Sequence, residues 1–285
     1  MKKLLLHLDT DPVASTFDQV VAYDSGVDNI LTRAAVSPDN VTSYVHGMMF
    51  TRSSRKLKHS AIFIGGSNVE ACDKVAEAVK GCFFGPVRVS VMLDPNGSNT
   101  TAAAVARKVI AHYDVQGKHV VILGSGPVGQ RAALYFIQEG AASVTLTSRR
   151  LDRASAITKA MKSRYNVDVT PAEVNDDAST AAVLAQAHVA VAAGPTGVCM
   201  IPQTVLDQTP SLAVVADVNA VPPLGIAGID LVDDGTEKGG KRFYGALAIG
   251  ALKMQIHRKA VAALFEANDI VLDETSIYEI ASQHQ

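Results

Sequence analysis

His119-Val120-Val121-Ile122-Leu123-Gly124-Ser125-Gly126-Pro127-Val128-Gly129 is the stretch on which the fold turns. Val120 to Leu123 is an unbroken apolar run, as expected of a strand covered on both faces in a parallel sheet. Three glycines follow in the pattern G-x-G-x-x-G, an Ala/Leu-rich helical stretch runs on to Gly140, and Ser143 to Thr147 reads as the next strand. In that strand–turn–helix setting each glycine has a physical task. Gly124 permits the tight turn, Gly126 lets the backbone approach a pyrophosphate, and Gly129 lets helix and strand pack closely. The pyrophosphate would rest on the helix N-terminus, where N–H groups and the helix dipole favour negative charge. Gly124, Ser125, Gly126, Pro127, Val128 and Gly129 are therefore expected to bind a dinucleotide. The alternative is a structural Gly-rich turn without a ligand.

Toward the C-terminus, the second strand ends at Ser148-Arg149-Arg150. An NAD site places an acid here for the ribose 2′-OH; two arginines suit a 2′-phosphate instead, because the guanidinium fork makes charge-assisted bonds to its oxygens. NADP is the expected cofactor, with Ser148, Arg149 and Arg150 around the phosphate. Arg150 also reads as a solvated helix-start charge, and Asp152 as an N-cap. A strand from Ala187 to Ala193 ends in Gly194-Pro195-Thr196-Gly197, with Gly194 a candidate for the nicotinamide side or for a purely structural turn. Ala213 to Val218 reads as a further strand, Gly245 to Leu264 as helical, and Glu274 to Ser282 as a last short helix.

Toward the N-terminus, strands are expected over Lys3–Leu8, Ser60–Ile64 and Val87–Leu93, with helices from Ser15, over Val69–Lys80 and over Asn99–His112. That alternation is the mark of an α/β unit. Two α/β domains are expected. Residues 1–106 with 252–285 form a substrate domain, and residues 107–251 form a Rossmann NADP-binding domain with a parallel sheet. The active cleft is expected between them, closing on its ligands.

The 285 residues are 48% hydrophobic and 19% charged, enough to bury a sizeable core and unlike a disordered chain. A formal charge of −2 offers no footprint for nucleic acid or an anionic membrane. Cys72, Cys82 and Cys199 form no CxxC pair and no metal spacing, so reduced thiols and no metal are expected. His7, Asp9 and Asp11 interrupt the N-terminal apolar run, against a secretory signal, and no segment has the length of a membrane span. The expectation is a cytoplasmic protein.

Asp94-Pro95-Asn96-Gly97-Ser98-Asn99-Thr100-Thr101 followed by the Gly124–Gly129 turn, the segment Asp217–Asp230, the run Gly245–Lys253, and Leu8-Asp9-Thr10-Asp11 with Phe17-Asp18 resemble the methylene-tetrahydromethanopterin/methylene-tetrahydrofolate dehydrogenases of methylotrophic bacteria. The resemblance covers nearly the whole chain. It implies hydride transfer from the methylene carbon of a tetrahydropterin to NADP⁺, giving the methenyl form, in one-carbon metabolism. It also implies a homo-oligomer, with a trimer suggested.

The resemblance implies Lys253 as a residue that orients the one-carbon unit; a lysine in the apolar stretch Ala246–Ile256 also fits one that snorkels to water. Asp94 and Asn99 are candidate catalytic residues, in a run that equally suits helix capping. Phe17 is expected to stack on the pterin or fill a core. Asp9, Asp217 and Asn219 are candidate substrate-binding residues, with Asp9 also able simply to end a strand. Thr147–Ala154 resembles the NADP stretch of shikimate dehydrogenases, so such an oxidoreductase and a non-catalytic NADP sensor stand as alternatives.

Overall fold

The computed structural model describes residues 1–283. It divides into two compact units, Met1–Thr100 with the chain from Met254 onward, and Thr101–Lys253. Residues 284–285, which the sequence reading assigned to the first domain, lie outside the described residues.

The first unit contains β1 (Leu4–Asp9), α1 (Thr16–Asp24), β2 (Asn29–Arg33), α2 (Val41–Met49), β3 (Ser60–Gly65), α3 (Val69–Gly81), β4 (Ser90–Leu93) and the start of α4 (Ser98–Ile110). Local signals begin the helices: the Ser15 hydroxyl accepts from Asp18 N at 3.2 Å before α1, and the Asn68 side chain accepts from Ala71 N at 3.0 Å before α3. The chain returns to this unit in the second part of α9 (Ala246–Ala263) and in β12 (Val271–Leu272) and α10 (Glu274–Ser282).

All pairings in its sheet are parallel, in the order β12-β4-β3-β1-β2. Partners His7↔Phe63 and Asp9↔Gly65 share one face of the sheet; Leu6↔Ile62 and Leu8↔Ile64 share the other. The second face is the core, where Leu6, Leu8, Ile62 and Ile64 bury against Val41 and Val45 of α2 and Val75 and Val79 of α3. The first face turns polar toward the carboxyl ends of β1 and β3. β2 and β3 flank β1 on opposite sides, so this pair marks the reversal of strand order where open α/β sheets bind ligands.

The second unit takes up α4 and continues with β5 (His119–Leu123), α5 (Pro127–Gln138), β6 (Ser143–Ser148), α6 (Leu151–Tyr165), β7 (Thr170–Glu173), α7 (Asp177–Leu184), β8 (Val189–Ala192), α8 (Gln203–Asp207), β9 (Val214–Asp217), β10 (Asp234–Lys238), β11 (Lys241–Tyr244) and the first part of α9 (Ala246–Ala263). After α9 come β12 (Val271–Leu272) and α10 (Glu274–Ser282). The seven-stranded sheet runs β10-β11-β9-β8-β5-β6-β7, parallel throughout except for the β10–β11 hairpin. This is the Rossmann order with an antiparallel edge strand. Val121 and Leu123 of β5, Ala190 and Ala192 of β8 and Val215 of β9 form one core, and Val120, Ile122, Val189, Val191 and Val214 on the other face are buried too, which explains why these strands read as unbroken apolar runs.

Three differences from the sequence reading have physical causes. β2 and β7 are edge strands, half exposed and without a clear period, and β7 contains Pro171, which an edge tolerates. The β10–β11 hairpin is built from charged residues, and its signal is the turn glycines Gly239 and Gly240, at φ 56° and 77°. The third strand begins at Ser90 rather than Val87, because Val87 pairs back with Phe84 in a local turn.

Candidate functional site

In the second unit, a cavity of about 470 Å³ lies at the carboxyl ends of β5, β6, β7 and β8. The glycine turn forms its floor. A Cβ on Gly124 would stand 2.5 Å from the Ala193 carbonyl oxygen, and one on Gly129 would collide with the Gly124 carbonyl oxygen. These two glycines are demanded by packing. Gly126 is different: a Cβ there meets nothing within 4 Å. The space above it is left open by the protein. Gly126 is also the N-cap of α5 and has no side chain to bond the first-turn N–H groups, while Pro127 follows at the first helical position. An open space over uncapped helical N–H groups fits a pyrophosphate.

Ser125, Pro127, Val128, Ser148, Arg149 and Gly194 also line the cavity. A Cβ on Gly194 would displace the flexible end of the Met200 side chain and meets no backbone atom closer than the Leu123 carbonyl oxygen at 3.5 Å. The Thr147 hydroxyl accepts from Gly124 N at 3.3 Å and holds the turn to β6.

Arg150 is placed differently. It does not line the cavity; its guanidinium turns to the Asp152 carboxylate two residues on, with Nε 3.0 Å from Oδ1 and a second, short contact to Oδ2. The carboxylate raises the Arg150 pKa and the arginine lowers that of Asp152, both at the exposed start of α6. Arg150 itself is the N-cap of α6, so Asp152 serves as partner to Arg150 rather than as the cap. The second cavity arginine is Arg153, which the sequence reading did not single out. Its signal was spacing: Arg149 closes the strand side and Arg153 comes one helical turn later. Asn175 and Asp176, at the mouth beyond β7, were also missed, because β7 itself was.

Asp94 and Asn99 are wholly buried and engage each other. Asp94 Oδ1 accepts from Asn99 N at 2.8 Å and Thr100 N at 3.3 Å, Oδ2 accepts from the Thr100 hydroxyl at 2.6 Å, and Asn99 Nδ2 donates to the Leu93 carbonyl at 2.6 Å. Both therefore shape the β4–α4 turn. The one exposed side chain between Ser90 and Thr100 is Asn96, held at φ 52°.

Asp9 is likewise buried, with Oδ1 accepting from Asp11 N at 2.9 Å and Oδ2 from Ser15 N at 2.8 Å. It organises the loop into α1. Phe17, in the first turn of α1, is 51% exposed, and its ring lies 6.5 Å from that of the buried His257.

Asp217 ends β9 buried, accepting from Asn219 N at 2.9 Å and Gly225 N at 2.6 Å. Burial pushes its pKa up against those two bonds. Asn219 Oδ1 accepts from Val221 N at 3.2 Å, while its buried Nδ2 has no hydrogen-bond partner among the described residues. Lys253 is buried in α9, with 8% of its surface exposed. Among the described residues no group of three or more His, Cys, Asp or Glu side chains is arranged for a metal ion, and no helix is long and apolar enough to cross a membrane.

Strand order, glycine turn and cavity define an NAD(P)-binding Rossmann protein, and residues 111–198 match a putative NAD(P)-binding family model. Residues 16–96 match the N-terminal model of methylene-tetrahydromethanopterin dehydrogenase. The chain is 48% identical to the bifunctional protein MdtA of Methylorubrum extorquens over 99% of both chains. It is 34% identical to the NAD(P)-dependent methylenetetrahydromethanopterin dehydrogenase of the same organism, over 99% of this chain and 98% of the relative. The chain belongs to the methylene-tetrahydromethanopterin dehydrogenase family. Shikimate 5-dehydrogenase from Listeria monocytogenes shares the fold, with a TM-score of 0.55 at 16% identity over 98% of this chain and 96% of that one.

Proposed function

We propose that the protein oxidises the methylene group of methylene-tetrahydromethanopterin to the methenyl form, with NADP⁺ as cosubstrate. The observation that carries the substrate is the whole-length likeness to a relative named for that reaction. A fold-level likeness at 16% identity, and a sequence likeness of 37% confined to 79 residues, give the shikimate alternative no comparable support. Tetrahydrofolate has the same pterin core and is the second substrate to test.

The choice of NADP rests on the cavity. Arg149 and Arg153 both line it, and the 2′-phosphate is the part of NADP that two guanidinium groups would hold. The first turn of α5 would take the pyrophosphate over Gly126. Bound there, the oxidised nicotinamide supplies a hydride acceptor. The protein's own work is positioning. Phe17 offers an aromatic face for the pterin. The Asn219 amide, with its buried unsatisfied Nδ2, is suited to a polar ligand atom. Lys253 is assigned to orienting the one-carbon unit. No general base is required, since the methylene carbon loses a hydride and no proton. A homo-oligomer belongs to the same reading.

The test is initial-rate absorbance at 340 nm with methylene-tetrahydromethanopterin and methylene-tetrahydrofolate, each with NADP⁺ and NAD⁺. Turnover with NADP⁺ is expected. Arg149→Ala and Arg153→Ala should each raise KM for NADP⁺ about tenfold or more and leave KM for NAD⁺ nearly unchanged, as loss of a charge-assisted bond implies. No turnover with either pterin despite NADP⁺ binding would overturn the reaction, and turnover with shikimate would replace it.

A further inference from the structure

Glu173 closes β7 and stands in the sheet opposite Ser148, the last residue of β6. The Val174 N–H fixes that register by donating to the Ser148 carbonyl at 2.9 Å. From there the Glu173 carboxylate reaches in two directions. Oε2 accepts from Leu151 N at 3.0 Å, and Oε1 accepts from Asn175 Nδ2 at 2.6 Å. Leu151 is the first residue of α6, whose N-cap, Arg150, makes no side-chain bond to the first-turn N–H groups. A carboxylate at that end of a helix is favoured both by the free donor and by the helix dipole.

The two loops joined by this carboxylate are walls of the nucleotide cavity. Arg149, just before α6, and Arg153, in its first turn, both line the cavity, and Leu151 lies between them in the chain. Asn175, in the loop into α7, lines it as well. The Asn175 backbone is already held, since its N–H donates to the Ser179 hydroxyl at 3.0 Å beside the capping box of α7. Glu173 itself does not line the cavity. An acid inside the ribose end of a Rossmann site selects the 2′-hydroxyl and repels a 2′-phosphate. Here the acid stands outside, and its two oxygens are turned to a helix N–H and an amide.

We propose that Glu173 is a positioning residue for cofactor choice: it anchors the first turn of α6 so that Arg149 and Arg153 meet the 2′-phosphate of NADP⁺ together, without touching the nucleotide itself. The inference rests on the NADP reading above and adds what holds the arginine pair in place. Without the anchor the first turn of α6 has one more N–H lacking a partner and frays. Two guanidinium groups that must converge on one phosphate then give up the ordering that made them effective. NAD⁺ carries no group at that point and is indifferent to the change. The rival role for Glu173 is the stability of a surface helix alone.

Three variants at this exposed position separate the bonds from the charge. Glu173→Ala removes both. Glu173→Asp keeps the charge on a shorter stem that does not reach Leu151 N. Glu173→Gln keeps an acceptor without the charge, with the Asn175 amide turned to match it. Dissociation constants for NADP⁺ and NAD⁺ by isothermal titration calorimetry need no pterin, so they read separately from the reaction. Kd for NADP⁺ should rise about fivefold or more in Glu173→Ala and Glu173→Asp and stay within about twofold of wild type in Glu173→Gln, with Kd for NAD⁺ within about twofold throughout. A wild-type ratio of the two affinities in Glu173→Ala and Glu173→Asp, whatever their Tm, would overturn the proposal and leave Glu173 a cap on a surface helix. A loss in Glu173→Gln equal to that in Glu173→Ala would overturn it too, because the acceptor is still there. A wild-type protein that binds NADP⁺ no tighter than NAD⁺ would instead strike the cofactor reading, and the role of Glu173 with it.

Discussion

The Asp94 carboxylate accepts the Asn99 backbone N–H at 2.8 Å, so two residues that resembled catalytic groups hold each other in place. Removing the carboxylate takes the side-chain acceptor from the Asn99 and Thr100 N–H groups in the interior and leaves the Thr100 hydroxyl only the longer bond to the Gly97 carbonyl at 3.2 Å. Asp94→Ala is expected to lose about 3 kcal/mol or more of unfolding free energy in urea titration.

Asn96, at the apex of that turn, separates backbone need from side-chain need. At φ 52° an alanine is strained and a glycine is not. Asn96→Ala should lose about 1 kcal/mol, and Asn96→Gly should match wild type within about 0.5 kcal/mol. Equal losses in the two variants by urea titration would show that the side chain, not the backbone, holds the turn.

Gly126 has open space where a Cβ would go, and its φ of −72° suits alanine. Gly126→Ala should keep the wild-type Tm, since no protein atom is displaced. NADP⁺ affinity by isothermal titration calorimetry should fall at least about tenfold, as a methyl group occupies the line of approach to α5. Unchanged affinity would mean that the pyrophosphate does not cross Gly126.

Arg150 is tied to Asp152 outside the cavity. Arg150→Ala should therefore change the NADP⁺/NAD⁺ ratio of kcat/KM by less than about threefold, where Arg149→Ala and Arg153→Ala change it tenfold or more. A loss of preference in Arg150→Ala equal to theirs would show that its pairing with Asp152 gives way to the phosphate.

Burial lowers the His7 pKa in the folded protein. The unfolded chain then binds the extra proton first as pH falls below about 6.5, the ordinary histidine value. Stability from this group is complete above that pH and declines below it, by up to about 1.4 kcal/mol per pH unit until the folded-state pKa is reached. His7→Asn should flatten that part of the profile of unfolding free energy between pH 7 and 5. Identical profiles would show that His7 takes up its proton without unfolding.

What the sequence by itself determined was the Rossmann core and the nucleotide turn. The run Val120–Leu123, the three glycines and the helical pattern to Gly140 are local signals, each carried by residues a few positions apart, so they read correctly before any tertiary contact was known. The Gly239–Gly240 turn was equally local and went unread because its strands carry charge rather than apolar residues. The directions of side chains were decided only by tertiary structure. Arg149 and Arg150 are neighbours of the same type, yet one lines the cavity and the other faces Asp152. Asp94 and Asn99 turned inward and left Asn96 outside. His7 and Gly65, far apart in the chain, are neighbours only because β1 and β3 pair in one register. Periodicity and turn chemistry depend on near neighbours, whereas what a polar side chain faces depends on which strand lies beside it and in what register.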